Sequence, residues 1–346
     1  MPRVWDVPVH DSTRVRDARV AAEEAAAVVG LDASRTAAAA LVATELATNL
    51  LKHAHGGQLL VDTVAPPGGR GGLVVQIVAV DHGPGMADVP AALGDGFSTA
   101  GSLGAGLGTC RRVADDFDLH SAPGRGTVAL ARVGAAAKAT APEAAARAGG
   151  VNIPFAGAPC SGDAWTWVRA GDRLTLMLAD GLGHGPEAAR ASTAAADELH
   201  RSAHLAPAEV LRRLDRALRG TRGAAVAVAQ VDAWAGRLRF AGIGNVGARL
   251  REGDSWRHLL SRPGIVGVHR PSTLPETEVP WAADRLLVLH SDGLPSRWVL
   301  PSGPGLPAAD PAVAAAVIVR DTSSSARPVR DDTAVAVLSP TPPDRP

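Results

Sequence analysis

The 346-residue sequence contains no tyrosine, four phenylalanines and two cysteines. Cys110 and Cys160 lie far apart and form neither a Cys-x-x-Cys nor a Cys/His pattern, which argues against a disulfide framework and a structural zinc site. An excess of one charge is also lacking, because lysine plus arginine and aspartate plus glutamate both number 35. A general binder of nucleic acid or anionic membranes would carry a basic excess, so we expect neither partner.

Long apolar runs are absent too. No uncharged apolar run approaches the ~18 residues that a membrane-spanning helix requires, and the first residues lack the apolar core of a signal peptide. We therefore expect a cytoplasmic protein with no membrane segment. The sequence does contain 46% hydrophobic residues, which is enough for a sizeable buried core. Its length corresponds to two domains of roughly 100–200 residues each.

A run of small residues, GAAAKATAPEAAARAG, is typical of a linker between these domains. We predict an N-terminal domain over residues 1–135, a linker over 136–149, a second domain over 150–339 and a disordered tail over 340–346. Helical and strand-like patterns are mixed in both halves, and the second half groups many strands with few helices. Two α+β domains are therefore expected.

Two candidate clusters in the N-terminal half contain polar side chains. Glu45 and Asn49 are four residues apart on a predicted helix, so they share one face, where a carboxylate and an amide can hold hydrated Mg²⁺ and orient a hydroxyl. Asp81 follows an apolar strand and can accept a hydrogen bond from an adenine amine. Gly83 and Gly85 would let the backbone approach the base. Taken alone, such a cluster is more often a solvated helix face or a surface turn.

A third cluster is rich in glycine and runs into a predicted helix. Its last glycines are Gly104, Gly106 and Gly108. Main-chain N–H groups of such a loop at a helix N-terminus can bind phosphate, although a glycine pattern alone is a weak signal. The order of the three clusters is far more specific than any one of them.

In this order the clusters resemble the ATP-binding boxes of the GHKL family (gyrase, Hsp90-type chaperones and histidine kinases), whose Bergerat fold is an α/β sandwich. The resemblance covers about residues 10–133 and is nearest to anti-sigma-factor serine kinases, in particular the switch kinases of general stress signalling. It implies that Asn49 holds the Mg²⁺ of ATP and that Glu45 polarises an incoming Ser or Thr hydroxyl. It also implies that Asp81 reads adenine, assisted by Thr127 through water. The glycines that the family's second and third boxes would contribute are Gly83, Gly85, Gly104, Gly106 and Gly108.

Aspartates recur at the ends of apolar strands in the C-terminal half. They are Asp163, Asp180, Asp292 and the adjacent pair Asp331 and Asp332. Aspartate is depleted in strands, and like carboxylates repel one another unless a cation neutralises them. One Asp-Gly pair is more often a turn. Four such sites in one domain predict a centre for hard cations, Mg²⁺ or Mn²⁺ rather than zinc.

This set resembles the metal-dependent PPM-type protein phosphatases, in the bacterial branch typified by stage II sporulation protein E, over about residues 151–338. The DGLGHG segment at 180–185 is its most specific part, with AGIGN and SDGL further along. The resemblance implies an αββα sandwich and a centre of two Mn²⁺ or Mg²⁺ ions that hydrolyses phosphoserine or phosphothreonine, with Asp180 essential to catalysis. The ligands that it implies are Asp163, Asp180, the Gly181 carbonyl, Asp292 and Asp331.

The two halves together predict a bifunctional regulator of partner switching. The N-terminal domain would phosphorylate a Ser or Thr of a STAS-domain anti-sigma antagonist, and the C-terminal domain would dephosphorylate the same or a related protein. The resemblance also admits a sigma factor as partner and a homodimer. Two alternatives stay open: a non-catalytic N-terminal domain that binds its partner in the presence of ATP, and an ATP-binding domain that gates the phosphatase.

Overall fold

The computed structural model describes residues 3–67, 72–93, 106–135, 146–295, 298–299, 306, 308–323 and 329–342. The chain divides into two compact units, one from Arg3 to Thr140 and one that begins at Ala141. None of the helices in the described ranges combines the length and the apolar character needed to cross a bilayer.

The N-terminal unit contains one five-stranded antiparallel sheet with helices packed on one face. In spatial order its strands are β1 (Trp5–Val9), β2 (Gly57–Val64), β3 (Val74–Val80), β5 (Thr127–Val133) and β4 (Asp116–Ser121). Its helices are α1 (Thr13–Val28), α2 (Ala33–Ala54), α3 (Val89–Ala92) and α4 (Gly106–Val113). Most of the buried residues of α1 and α2 are alanines, whose small side chains let the helices pack closely. This is the predicted α/β sandwich.

The long helix α2 presents the first candidate cluster. Asp32 caps its N-terminus by accepting a hydrogen bond from a main-chain N–H of the first turn. Leu46 and Leu50 are buried in the core between helices and sheet. Glu45 and Asn49 each lie one position earlier, so they fall at the half-buried edge of the same face.

The edge strand β1 was not predicted from the sequence. Its buried residues Trp5, Val7 and Val9 alternate with Asp6 and Pro8, and the strand pairs with β2 over its whole length, from Trp5↔Val61 to Val9↔Gly57. Proline is compatible with this position because an edge strand leaves one row of N–H groups unpaired.

The C-terminal unit contains two five-stranded antiparallel sheets. In spatial order the first sheet has β13 (Thr277–Pro280), β10 (Arg237–Ile243), β9 (Ala224–Asp232), β8 (Arg173–Gly181) and β7 (Asp163–Ala170). The second has β12 (Ser255–His258), β11 (Gly247–Glu252), β14 (Arg285–His290), β15 (Thr333–Pro340) and β6 (Ala146–Ile153). Helices α5 (Pro186–Ser202) and α6 (Pro207–Ala217) pack on the first sheet, and α7 (Pro311–Thr322) packs on the second. With the two sheets stacked between the helices, this is the predicted αββα sandwich.

Strand β6 differs from expectation, because its residues Ala146–Gly149 fall in the segment that the sequence assigned to the linker. Small residues serve close packing here. A Cβ on Gly149 would lie 2.8 Å from the main-chain nitrogen of Ala312 in α7, and one on Gly150 would lie 2.9 Å from the Trp165 ring. A strand built from such residues has the composition of a linker.

The pairing of β6 with β15 also shifts the C-terminal boundary of this domain from the predicted position. Pro340, placed in the disordered tail by the sequence, is the last residue of β15 and pairs with Ala146. The expected tail residues 343–346 and the expected linker residues 136–145 lie outside the described residues.

Candidate functional sites

A cavity of about 470 Å³ lies in the N-terminal unit between α2, the end of β3, α3 and the start of α4. Its polar lining includes Asn49, Asp81 and Thr127, with main chain from Gly85 and Gly106. Most of the remaining lining is apolar, as in binding sites for small molecules. The structure thus brings residues from all three N-terminal clusters to one cavity.

Asp81 is held rigidly at this cavity. Its Oδ1 accepts hydrogen bonds from the N–H groups of Gly83 (2.8 Å) and Thr127 (3.1 Å), and only 8% of the residue is exposed. Gly126 has a φ of 76°, and a Cβ there would overlap the Asp81 main-chain carbonyl. A glycine at this position therefore lets the turn before β5 close against Asp81.

Glu45, Asn49 and Gly106 meet at the start of α4. A Cβ on Gly106 would lie 3.2 Å from Glu45 Oε2 and 3.4 Å from both Asn49 Oδ1 and Nδ2. The Asn49 amide nitrogen is buried and has no hydrogen-bond partner in the described part of the chain, so it is available to a ligand. Burial, together with the nearby Glu45 charge, raises the pKa of the Cys110 thiol to about 12, so that thiol is no nucleophile at neutral pH.

Not every predicted residue reaches the N-terminal cavity. Glu45 adjoins Asn49 but is absent from the lining, and Gly83 supports Asp81 from outside the lining. Gly108 is buried within α4. Gly104 lies outside the described residues.

A second cavity, of about 420 Å³, lies in the C-terminal unit and brings together the side chains of five aspartates. They are Asp163, Asp180, Asp292, Asp331 and Asp332. The antiparallel register pairs Asp163 on β7 directly with Asp180 on β8. Each has an Oδ2 atom that is buried and lacks a hydrogen-bond partner within the described residues.

Burial and mutual repulsion raise the pKa values of three of these carboxyl groups, which disfavours their charged forms. Burial and then the neighbouring Asp180 raise the pKa of Asp163 well above its ordinary value. Burial and then Asp292 raise the pKa of Asp180 to about 7. The pKa of Asp292 is raised as well, by burial and then by Asp331. Such a cluster fits a site in which bound cations supply the missing positive charge.

The adjacent pair Asp331 and Asp332 divides into two roles. Asp332 is buried and both of its oxygens are engaged, because Oδ1 accepts from Phe155 N–H (2.7 Å) and Oδ2 from Gly162 N–H (2.8 Å). Asp331 is exposed, and among the described residues its carboxylate accepts one hydrogen bond, to Oδ1 from the Asp332 N–H (2.8 Å). Asp331 is therefore the member that is free to bind a cation.

Asn245 also belongs to this cavity, although no role was predicted for it from the sequence. It lines the cavity, and its amide donates to Asp292 Oδ2 at 2.7 Å, which fixes that carboxylate. Its AGIGN segment matched the phosphatase pattern, so the signal was present in the sequence. Gly181, whose carbonyl was predicted as a ligand, follows Asp180 on β8 and is absent from the lining.

Among the residues that the structure describes, no three His, Cys, Asp or Glu side chains are spaced to hold one metal ion. Mg²⁺-like ions keep several waters and take only one or two carboxylates each. The two orphaned buried oxygens of Asp163 and Asp180 fit that kind of centre.

Comparison with known proteins gives two family matches. Residues 9–132 match the family described as histidine kinase-like ATPase domain, and residues 170–340 match stage II sporulation protein E. The serine/threonine-protein kinase RsbT of Bacillus subtilis is 44% identical over 84 residues. That match spans 24% of this chain and 61% of the length of RsbT.

Two of the solved structures that resemble the chain do so over slightly more than half its length. A chain described under "The bacterial stressosome: a modular system that has been adapted to control secondary messenger signaling" is 29% identical. The match covers 56% of this chain and 98% of that one, with a TM-score of 0.48. The phosphatase domain of SpoIIE from Bacillus subtilis is 16% identical, covers 58% of this chain and 94% of its own, and has a TM-score of 0.43. The two family matches confirm both resemblances found in the sequence.

Proposed function

We propose that this chain, which joins a histidine kinase-like ATPase domain to a phosphatase domain of the stage II sporulation protein E type, both adds phosphate to a partner protein and removes it. The observation that carries this proposal is the presence of two chemically different cavities on one chain. One is a largely apolar cavity with a fixed carboxylate, and the other is lined by five aspartates.

The kinase half acts on Ser or Thr with ATP as phosphate donor. Asp81, fixed by two N–H groups, accepts a hydrogen bond from the adenine amine, and Thr127 supports it from β5. Asn49 would hold Mg²⁺ through its amide oxygen, its unpartnered amide nitrogen can donate to a phosphate oxygen, and Glu45 orients the incoming hydroxyl. The 44% identity with a serine/threonine-protein kinase supports this assignment.

The phosphatase half hydrolyses phosphoserine or phosphothreonine. Asp163, Asp180, Asp292, Asp331 and the Gly181 carbonyl would hold two Mn²⁺ or Mg²⁺ ions. When bound, such ions stabilise charge on the phosphoryl oxygens and activate water. Asn245 keeps Asp292 oriented, and Asp332 ties the chain at Phe155 and Gly162 to the start of β15.

The partner that suits both activities is a STAS-domain anti-sigma antagonist or a related phosphoprotein, met in the cytoplasm. This follows from the resemblance of the N-terminal half to switch kinases. A sigma factor and a second copy of the chain are further partners under the same proposal. Opposing activities on one chain raise the local concentration of each near a shared partner.

Phosphate transfer from radiolabelled ATP to a STAS-domain protein tests the kinase half. Transfer should occur with wild type and with the surface control Glu23→Gln, and should be lost with Glu45→Gln. ATP-dependent complex formation without transfer would instead support the non-catalytic binding module. Equal transfer by Glu45→Gln would contradict the role given to Glu45.

Release of phosphate from a phosphoserine protein in Mn²⁺ tests the other half. Asp180→Asn should abolish it, while the surface control Asp254→Asn should not. Measuring the same rate with and without ATP separates independent activities from a phosphatase gated by nucleotide.

A further inference from the structure

The aspartate cavity contains more negative charge than its proposed ions can balance. Five carboxylates outweigh two divalent cations, and a phosphomonoester dianion adds to the excess. A substrate phosphate would therefore be repelled unless a cationic side chain lies near the entrance. In the part of the chain that the structure describes, none of the residues that line this cavity is cationic.

Arg222 lies beside this cavity. Its Nη1 is 3.0 Å from the position that a Cβ on Gly183 would take, and Gly183 is part of the cavity lining. The side chain is exposed, and within the described residues its guanidinium has no hydrogen bond or ion pair. Nearby arginines are engaged: Arg190 donates to the Gly220 carbonyl, and Arg270 pairs with Asp215.

The loop that carries Arg222 is firmly braced. Arg190 Nη2 donates to the Gly220 carbonyl at 2.9 Å, and Thr221 Oγ1 accepts from the Gly223 N–H at 3.0 Å. The Gly223 carbonyl in turn accepts the Leu182 N–H at 3.1 Å, which ties this loop to the DGLGHG segment. These hydrogen bonds fix the main chain beside the cavity, and the guanidinium of Arg222 has no partner within the described residues.

We infer that Arg222 binds the phosphoryl group of the phosphorylated partner as that group enters the aspartate cavity. The inference rests on the proposed phosphatase function. A guanidinium suits this role because it presents a planar fork of N–H donors to phosphate oxygens, and its charge persists at any physiological pH. Arg222 is a substrate-binding residue in this account and takes no part in holding metal.

The test compares Arg222→Ala, Arg222→Lys and the control Arg219→Ala, an exposed arginine three residues earlier, in the full chain loaded with Mn²⁺. Substrates are p-nitrophenyl phosphate and a phosphoserine peptide. Arg222→Ala should raise KM about tenfold on both substrates and leave kcat within about twofold, as expected for loss of a charge-assisted hydrogen bond. Arg222→Lys should lie between, and Arg219→Ala should match wild type. Added salt should raise KM more steeply for wild type than for Arg222→Ala.

Calorimetric titration of inorganic phosphate into the same Mn²⁺-loaded proteins gives the comparison without turnover, and Arg222→Ala should bind about tenfold more weakly. The inference is overturned if Arg222→Ala behaves like Arg219→Ala in both assays. It is also overturned if only the peptide is affected, since Arg222 would then contact flanking residues. A wild-type chain with no hydrolysis would overturn the proposed function, and the phosphate titration would still decide the role of Arg222.

Discussion

Asp163 and Asp180 lie directly opposite each other on neighbouring antiparallel strands, and each keeps a buried Oδ2 without a hydrogen-bond partner in the described residues. Opposed Cβ atoms in such a pair are about 4.5–5.5 Å apart. Two carboxylates at that separation destabilise the fold when both are charged. The sheet therefore holds these side chains in an arrangement that favours a cation.

Divalent cations are accordingly expected to stabilise the C-terminal unit. At about 100 times its Kd, Mn²⁺ should add about 2.7 kcal/mol to the free energy of unfolding, measured by calorimetric melting and reversed by EDTA. Asp180→Asn should melt no lower than wild type without metal, because repulsion is relieved, and should gain much less from Mn²⁺. An equal gain in the variant would contradict the assignment.

Asp331 and Asp332 should respond differently to the same substitution. Asp332→Asn places an NH₂ group against a main-chain N–H, either Phe155 or Gly162, and should cost about 1–3 kcal/mol of stability in the absence of metal. Asp331→Asn should leave metal-free stability nearly unchanged and weaken Mn²⁺ binding. Thermal melting with and without Mn²⁺ measures both effects, and a reversed pattern would assign the ligand role to Asp332.

The turn before β5 offers a matched pair of glycines. Gly124 and Gly126 have similar φ values of 73° and 76°, but only at Gly126 would a Cβ overlap the Asp81 main chain, since nothing lies within 4 Å of a Cβ on Gly124. Gly124→Ala should cost about 1 kcal/mol, from backbone strain alone. Gly126→Ala should cost more and weaken ATP binding, as measured by melting and by titration with a fluorescent ATP analogue. Equal effects would mean that the contact with Asp81 is unimportant.

Gly106→Ala separates binding from stability. Gly106 is the first residue of α4, and the atoms that an added methyl group would meet are the ends of two side chains, so the melting temperature should change little. That methyl group would press on Glu45 and Asn49, at 3.2–3.4 Å, and ATP should bind more weakly. Titration with ATP in Mg²⁺ checks this, and unchanged affinity would exclude the start of α4 from the nucleotide site.

The aspartate centre could be predicted because carboxylates recur at the ends of strongly apolar strands, as Asp180 does on β8 of one sheet and Asp292 after β14 of the other. The roles within the centre could not. Asp332 accepts hydrogen bonds from the main-chain N–H groups of Phe155 and Gly162, which are some 170 residues away in sequence. The sequence around Asp332 does not reveal these partners. Asn245 likewise acquires its role only through the fold.

Most helices and central strands were also predictable, since their apolar periodicity is strong. Strands β1 and β6 were not. In β1, the alternation of Trp5, Val7 and Val9 with Asp6 and Pro8 spans only 5 residues, which is too short a run to stand out in the sequence. In β6, Gly149 and Gly150 are small because α7 and Trp165 approach so closely, and local sequence contains no trace of those distant neighbours.

The position of β6 has a practical consequence for dissecting the protein. The sequence predicts that the second domain starts at residue 150. A fragment that begins there would lack Ala146–Gly149 of β6, which pair with Val337–Pro340 of β15. The exposed edge could then recruit a neighbouring molecule and drive the fragment into aggregates. An excised phosphatase should therefore begin no later than Ala146.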